Sequence, residues 1–294
     1  MRRILPFFLV AILVAVPARG RTVVDQLGRS LTVPDDPQRV VALAPSLTEI
    51  VYSLGQEAKL KGVTRYSDYP AAAKKLPRVG SYIRLDLERI VALKPDLCLA
   101  IRQGNPGDQI ARLEALGIPV YVVDPRDLRG VMASLRGIGA ALNAEPQARL
   151  LAERMEQEIA AITRKTGQAA HRPRVFFQVD SSAIVTSGTN TFTHELITLA
   201  GGINLGAGPV DYPRLGWEQV LALRPEVVVI TSMAGRLTPE ELQAEWRRWP
   251  VIPAVRQNRL HVVDTDLFNR PTARLVEGLR ILAAIIHPEL FGGR

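Results

Sequence analysis

The residues best suited to bind a metal or move a proton are the four histidines, His171, His194, His261 and His287, and their spacing argues against both uses. None stands four residues from a second ligand, so no helix-borne zinc site is legible. The sequence has no Gly-x-Ser-x-Gly elbow, no phosphate-cradling loop and no Gly-x-Gly-x-x-Gly after a strand. Asp264 and Asp266 form a carboxylate pair, but they follow a strand pattern directly, where acids cap turns and helices. Nothing in these residues demands an enzyme or a cofactor. The single cysteine, Cys98, can form no internal disulfide, and its place in a strand pattern predicts a buried thiol.

A binding cleft is better supported. Only 5% of the chain is Phe, Trp or Tyr, so aromatic residues in loops need a reason other than core packing. Tyr66 lies in Thr64-Arg65-Tyr66-Ser67-Asp68-Tyr69-Pro70, Tyr82 follows Gly80-Ser81, and Tyr212 precedes Pro213-Arg214. Other loops at strand ends carry Pro45-Ser46, Arg102-Gln103-Gly104-Asn105, Thr186-Ser187-Gly188 and Asp266-Leu267-Phe268-Asn269-Arg270. In open α/β sheets ligands bind beyond the carboxyl ends of the strands, where such loops lie. Ring-bearing loops in two facing lobes suit a large, partly apolar ligand. Asp266 and Arg270 are four residues apart and support two readings, a clamp on ligand amides or an ion pair that caps the final helix.

The elements that must position these loops follow from a phrase the chain uses twice. Leu87-Glu-Arg-Ile-Val-Ala-Leu-Lys-Pro-Asp-Leu97 and Trp217-Glu-Gln-Val-Leu-Ala-Leu-Arg-Pro-Glu-Val227 share an acid, an aliphatic face, a base, a proline, an acid and then an apolar run. Each predicts a short helix ended by its proline and followed by a buried strand. Solenoid repeats recur every ~20–50 residues, and a spacing of 130 residues implies two similar lobes instead. Each lobe then carries one glutamate at the same place, Glu88 and Glu218. A glutamate in a first helical turn also complements the helix dipole, which is a second reading for both, although aspartate would serve that purpose as well and both copies keep glutamate in the same frame.

Around the repeats, a hairpin is expected near Gly28, and a strand at 39–44 leads into a helix ending at Leu54, with Ser46 and Glu49 as a capping box. Strands at 97–101 and 118–123 alternate with helices at 108–116 and 128–142. Residues 145–165 carry Leu151, Met155, Ile159 and Ile162 at helical spacing, which predicts one helix of about 30 Å. A second strand–helix alternation runs from 174 to a closing helix at 272–286. The fold class is therefore α/β: two Rossmann-like lobes, residues 21–144 and 169–294, joined by a single long α-helix at 145–168.

Arg2-Arg3, an apolar run from Phe7 to Val16 and small residues at Ala18 and Gly20 predict a cleaved secretory signal over residues 1–20. Its loss lowers the formal charge from +8 to +5, because Arg2, Arg3 and Arg19 leave with it. No basic run with interleaved aromatics appears, so no nucleic-acid partner is expected.

Tyr66-Ser-Asp-Tyr-Pro70, the phrase at 87–97, Thr186-Ser-Gly188, Gly201-Gly-Ile-Asn204 and Phe268-Asn-Arg270 resemble periplasmic substrate-binding proteins of ABC importers, in the subgroup for vitamin B12, iron-siderophores and haem. The resemblance extends from about Arg39 to the C-terminus. It implies an exported monomer that captures cobalamin or a related corrinoid, or else a ferric siderophore or haem. It also implies that Tyr66, Tyr82, Tyr212, Asp266 and Arg270 line the cleft, with Arg102 and Phe268 as further ligand contacts, and that Glu88 and Glu218 dock on arginines of the permease. Tyr82 and Tyr212 stand where corrinoid-binding members carry tryptophan, and so does Ile101. No histidine matches a cleft position, so no protein ligand to cobalt is expected.

Overall fold

The computed structural model describes residues 20–180, 184–231 and 237–292. The predicted signal segment, apart from Gly20, lies outside them. Gly20–Val24 pairs antiparallel with Ser30–Pro34 around Gly28, whose φ of 76° suits a residue without Cβ.

Two four-stranded parallel sheets carry the architecture. In the amino-terminal sheet the strands Val40–Ala42, Leu60–Val63, Leu97–Ile101 and Val120–Val123 lie in the spatial order second, first, third, fourth. In the carboxy-terminal sheet Arg174–Gln178, Ile203–Asn204, Val227–Ile230 and Leu260–Val262 repeat that order. Both faces of each sheet are covered, as parallel sheets require. Alternate residues therefore enter different cores: Leu97, Leu99 and Ile101 turn to an inner cluster, Cys98 and Ala100 to an outer one. The inner cluster is continuous from one sheet to the other, joining Val40 and Leu99 to Val175 and Val229.

The long helix spans Glu145–Thr166 and is followed by Gly167. It packs against Leu128–Ala141 of the first lobe and Leu275–Ile286 of the second. Its buried stripe is Ala148, Ala152, Met155, Ile162 and Thr166, while Leu151 and Ile159 are only partly covered. The alanines matter because the helices approach closely: a Cβ on Gly139 would lie 2.4 Å from that of Ala148. Sequence periodicity favours the larger apolar residues and so misplaces the stripe.

The duplicated phrase forms the same clasp twice. Asp96 accepts hydrogen bonds from the backbone N–H of Arg39 at 2.9 Å, and Glu226 from that of Arg174 at 2.8 Å. Arg39 immediately precedes the first strand of its sheet and Arg174 begins that of its own, and each returns its guanidinium to the end of the repeat helix, Arg39 to the carbonyls of Leu93 and Lys94, Arg174 to that of Leu223. Lys94 and Arg224 both adopt left-handed backbone, with φ of 47° and 44°. That conformation costs an L-residue roughly 1–2 kcal/mol, and the clasp holds it in place. Ile90 and Val220 are fully buried at the equivalent point of each helix.

Candidate ligand-binding cleft

The clasp also orients the repeat helices. Their carboxyl ends touch the residues that open the first strands, so their first turns lie toward the strands' carboxyl ends, with the cleft loops. Glu88 and Glu218 occupy those first turns, are exposed, and make no ion pair among the described residues.

The order of strands reverses between the first and third strand of each sheet, where α/β proteins open a binding crevice. Here polar side chains bridge the strand ends at both crevices. In the first lobe Asn105 accepts from the Ile101 N–H at 2.7 Å and donates to the carbonyls of Leu43 at 2.7 Å and Tyr82 at 2.8 Å. In the second, the Thr231 hydroxyl donates to Gln178 and Val179. Among the described residues one cavity of about 410 Å³ lies within the second lobe, lined by Leu205, Val210, Leu215 and Leu223, and another of about 290 Å³ opens at the seam between the lobes beside Glu49, Tyr69 and Arg274.

On the first lobe Tyr66 is half exposed and meets Tyr82 edge to face, with ring centroids 6.3 Å apart. Tyr82 lies over Gly104, where a Cβ would come within 3.1 Å of the ring. The Arg102-Gln-Gly-Asn105 loop thus seats the tyrosine twice, through a glycine that admits the ring and an asparagine that holds its carbonyl. Arg102 itself is exposed and reaches Asp124 at 3.4 Å. The Tyr66 loop is tied down by Arg78, whose guanidinium donates to Thr64 and Ser67 at 2.8 Å each.

On the second lobe Tyr212 is held by Thr186-Ser187-Gly188. The Thr186 N–H donates to Pro213 and the Gly188 N–H to Asp211. A Cβ on Gly188 would fall 1.8 Å from the Val210 carbonyl, so only glycine lets the two loops meet. Tyr212 is 42% exposed, yet desolvation, with Asp211 beside it, raises its pKa. Phe268 is fully buried, with its ring 5.5 Å from that of Phe177. It supports the site from beneath and does not line it, because the apolar side of its short helix faces the inner core.

Arg270 does more than pair with Asp266, 2.8 Å away. It bonds Glu49 at 2.8 Å and Asp68 at 2.9 Å and donates to the Tyr66 carbonyl at 3.2 Å, all three on the other lobe. Burial alone would lower its pKa, but Glu49, Asp266 and Asp68 hold it above the ordinary value. Desolvation raises the Asp266 pKa, which Arg270 partly offsets. Glu49 is 3% exposed in its side chain and also meets Arg274 at 3.4 Å. The expected capping box is therefore corrected: Ala44 is the N-cap, Ser46 lies inside the helix, and Glu49 turns to the opposite lobe. Its spacing from Ser46 gave no sign of this, because its partners are more than 200 residues away.

The structure thus joins Tyr66, Tyr82, Asp266 and Arg270 into one connected group. Tyr212 and Arg102 stand apart from it, each with its own anchor. No cluster of three or more His, Cys, Asp or Glu that could hold a metal is present among the described residues.

A family model described as periplasmic binding protein matches residues 40–267, and the chain belongs to that family, which is one of binding proteins, not of enzymes. It is 34% identical over 240 residues to a vitamin B12-binding protein of Yersinia pestis (strain Pestoides F), covering 81% of this chain and 82% of that one. It is 35% identical over 242 residues to the vitamin B12-binding protein of Pectobacterium carotovorum subsp. carotovorum (strain PC1), covering 82% and 85%. Among solved structures, the periplasmic vitamin B12-binding protein BtuF of Vibrio cholerae matches with a TM-score of 0.74 and 29% identity over 86% of this chain and 97% of that one. The apo periplasmic haem-binding protein RhuT of Roseiflexus sp. RS-1 matches with a TM-score of 0.78 and 27% identity, covering 85% and 98%. The two-lobed α/β architecture read from the sequence is the fold of these proteins.

Proposed function

We propose that this protein is exported to the periplasm, captures cobalamin or a related corrinoid between its lobes, and delivers it to an ABC importer. The observation that carries this reading is the Tyr66–Tyr82 pair standing beside Asp266 and Arg270 at the junction of two lobes, in a chain about one-third identical to vitamin B12-binding relatives. A corrinoid offers flat apolar faces and an edge of amides. Burial contributes about 25 cal/mol per Å² of apolar surface, so the rings supply most of the affinity. Asp266 accepts from amide N–H groups and sets orientation. Arg270, already engaged by carboxylates on both lobes, acts chiefly by holding Asp266. Both walls come from one chain, so a monomer suffices. Equilibrium dialysis with cyanocobalamin tests the proposal, and absence of binding at micromolar ligand overturns it.

Glu88 and Glu218 dock on cationic groups of the permease. Exposed ion pairs contribute roughly 0–1 kcal/mol each, so two of them fix register more than affinity. Reversing both to lysine should leave ligand binding intact and abolish uptake into cells.

Tyrosines in place of tryptophans support a second reading, haem or a ferric siderophore. Tyr82 and Tyr212 each precede an exposed arginine by two residues, Arg84 and Arg214. A phenolate is a competent ligand to haem iron, and the arginines suit an anionic chelate. The absorption spectrum of protein purified from its native source separates the two: corrinoid bands support the first reading, a Soret or siderophore charge-transfer band the second.

A further inference from the structure

The duplication that placed Glu88 and Glu218 has a second pair of glutamates, and these face each other's lobes. Glu49 lies in Pro45–Ser53, the helix after the first strand of the amino-terminal sheet. Glu195 lies in Phe192–Leu199, the helix that follows the first strand of the carboxy-terminal sheet. Glu49 crosses to Arg270 at 2.8 Å and Arg274 at 3.4 Å, in the segment between the fourth strand and the last long helix of the other lobe. Glu195 crosses in the opposite direction: its Oε2 accepts from the Leu128 N–H at 2.6 Å, at the start of the helix that follows the fourth strand of the first lobe. Each acid is followed by a buried aliphatic residue, Ile50 and Leu196, that fixes its helix face. Both therefore run from the first helix of one lobe to the segment after the fourth strand of the other.

We propose that Glu49 and Glu195 are reciprocal positioning residues that set the separation of the lobes and hence the width of the cleft. The groups around each are consistent with a strut. Glu49 faces Arg270, Arg274 and the Thr272 hydroxyl, and a cavity of about 290 Å³ lined by Tyr52, Tyr69 and Arg274 opens beside it, so polar links rather than close packing span that part of the seam. Arg274 is held there by the Tyr69 ring, 3.8 Å from its guanidinium carbon. Glu195 meets an amide that has no partner within its own helix, at the positive end of the helix dipole, with Asp127 capping the donor two residues further on, at Gly130.

The inference rests on the cleft reading only for its consequence, not for its test. Cys98 is the sole cysteine and is buried, so Leu116→Cys and Val251→Cys, both on exposed surface of opposite lobes, can be spin-labelled selectively. The interlabel distance should form one narrow distribution in the otherwise native protein and broaden or shift in Glu49→Ala/Glu195→Ala. An unchanged distribution in the folded double variant overturns the proposal. Should that variant fail to fold, hydrogen exchange on the native chain and on Glu195→Gln decides. Leu128 should be at least 10-fold protected relative to an exposed amide in both, because Gln keeps the accepting oxygen, and should lose that protection in Glu195→Ala. Fast exchange at Leu128 in the native protein overturns the strut. Failure of native protein to bind cyanocobalamin leaves these distances untouched and counts against the ligand alone.

Discussion

The two lobes share a frame and differ in where they spend their aromatic residues. In the carboxy-terminal lobe they fill the outer core: Trp217 meets Trp246 at 5.2 Å and Trp249 at 5.5 Å, and Phe176 meets Trp246 at 5.4 Å. The corresponding layer of the amino-terminal lobe is aliphatic, from Val41 and Leu43 to Ile110 and Leu113, and that lobe instead presents the Tyr66–Tyr82 pair at the candidate cleft. What stayed alike is the clasp of Arg39 with Asp96 and of Arg174 with Glu226, together with the left-handed Lys94 and Arg224. Parts that close the sheet are bound by backbone geometry and resist change. Parts that only fill a layer need volume and polarity, so the two lobes differ there.

That contrast can be broken at several points. Trp246→Ala should cost about 3–5 kcal/mol of unfolding free energy, because it empties the outer core and orphans Gln178, whose side-chain oxygen accepts from the indole N–H at 2.7 Å. Leu113→Ala in the aliphatic layer should cost about 2–5 kcal/mol; urea denaturation measures both, and a Trp246 loss below that of Leu113 would undo the distinction between the layers. The clasps should behave as equals. Asp96→Ala and Glu226→Ala should each cost roughly 0.5–1.5 kcal/mol through the exposed hydrogen bonds lost, and a cost at only one site would show that the likeness is formal. In the cleft, Tyr66→Ala or Tyr82→Ala should weaken cyanocobalamin by about 10-fold, since an aromatic contact is worth roughly 0.5–1.5 kcal/mol beyond its buried area; Tyr212→Ala, with no aromatic partner among the described residues, should cost less. Calorimetric titration sets that order.

The smallest expected effect is in pH. Desolvation raises the pKa of Glu195, with the Leu128 N–H partly opposing it. A folded carboxyl with a raised pKa binds its proton more tightly than the unfolded chain does. The penalty of burying its charge is then full above the folded pKa and fades as pH falls from there toward the ordinary glutamate value. The stability of the native protein relative to Glu195→Gln should therefore improve as pH drops through that window, measured by denaturation at stepped pH; a relative loss on acidification would contradict the cause assigned to the shift.

Much of the fold, and the loops that carry the candidate site, was legible because these parts are local. Proline and glycine punctuate the elements, apolar runs mark buried strands, and tyrosines in loops stand out in a chain poor in aromatics. Phe268 was misplaced because a ring in a loop-like segment cannot be told from a ring beneath it until the short helix Thr265–Asn269 turns it to Phe177. The role of Asn105 had a faint signal, a polar residue after a glycine at a strand end, but its partners Leu43 and Tyr82 lie 62 and 23 residues away.

The chain by itself determined the alternation of strands and helices, the duplication and the twin acids at 88 and 218, because hydrophobic period, proline stops and repeated phrases act over a few residues. Tertiary structure alone decided that Glu49 and Glu195 cross between lobes, that Arg270 is shared by carboxylates of both, and that the long helix buries alanines where leucine was expected. Those outcomes depend on which surfaces meet after the chain has closed, and partners such as Glu195 and Leu128, 67 residues apart, or Glu49 and Arg270, 221 residues apart, leave no periodic mark on the sequence that encodes them.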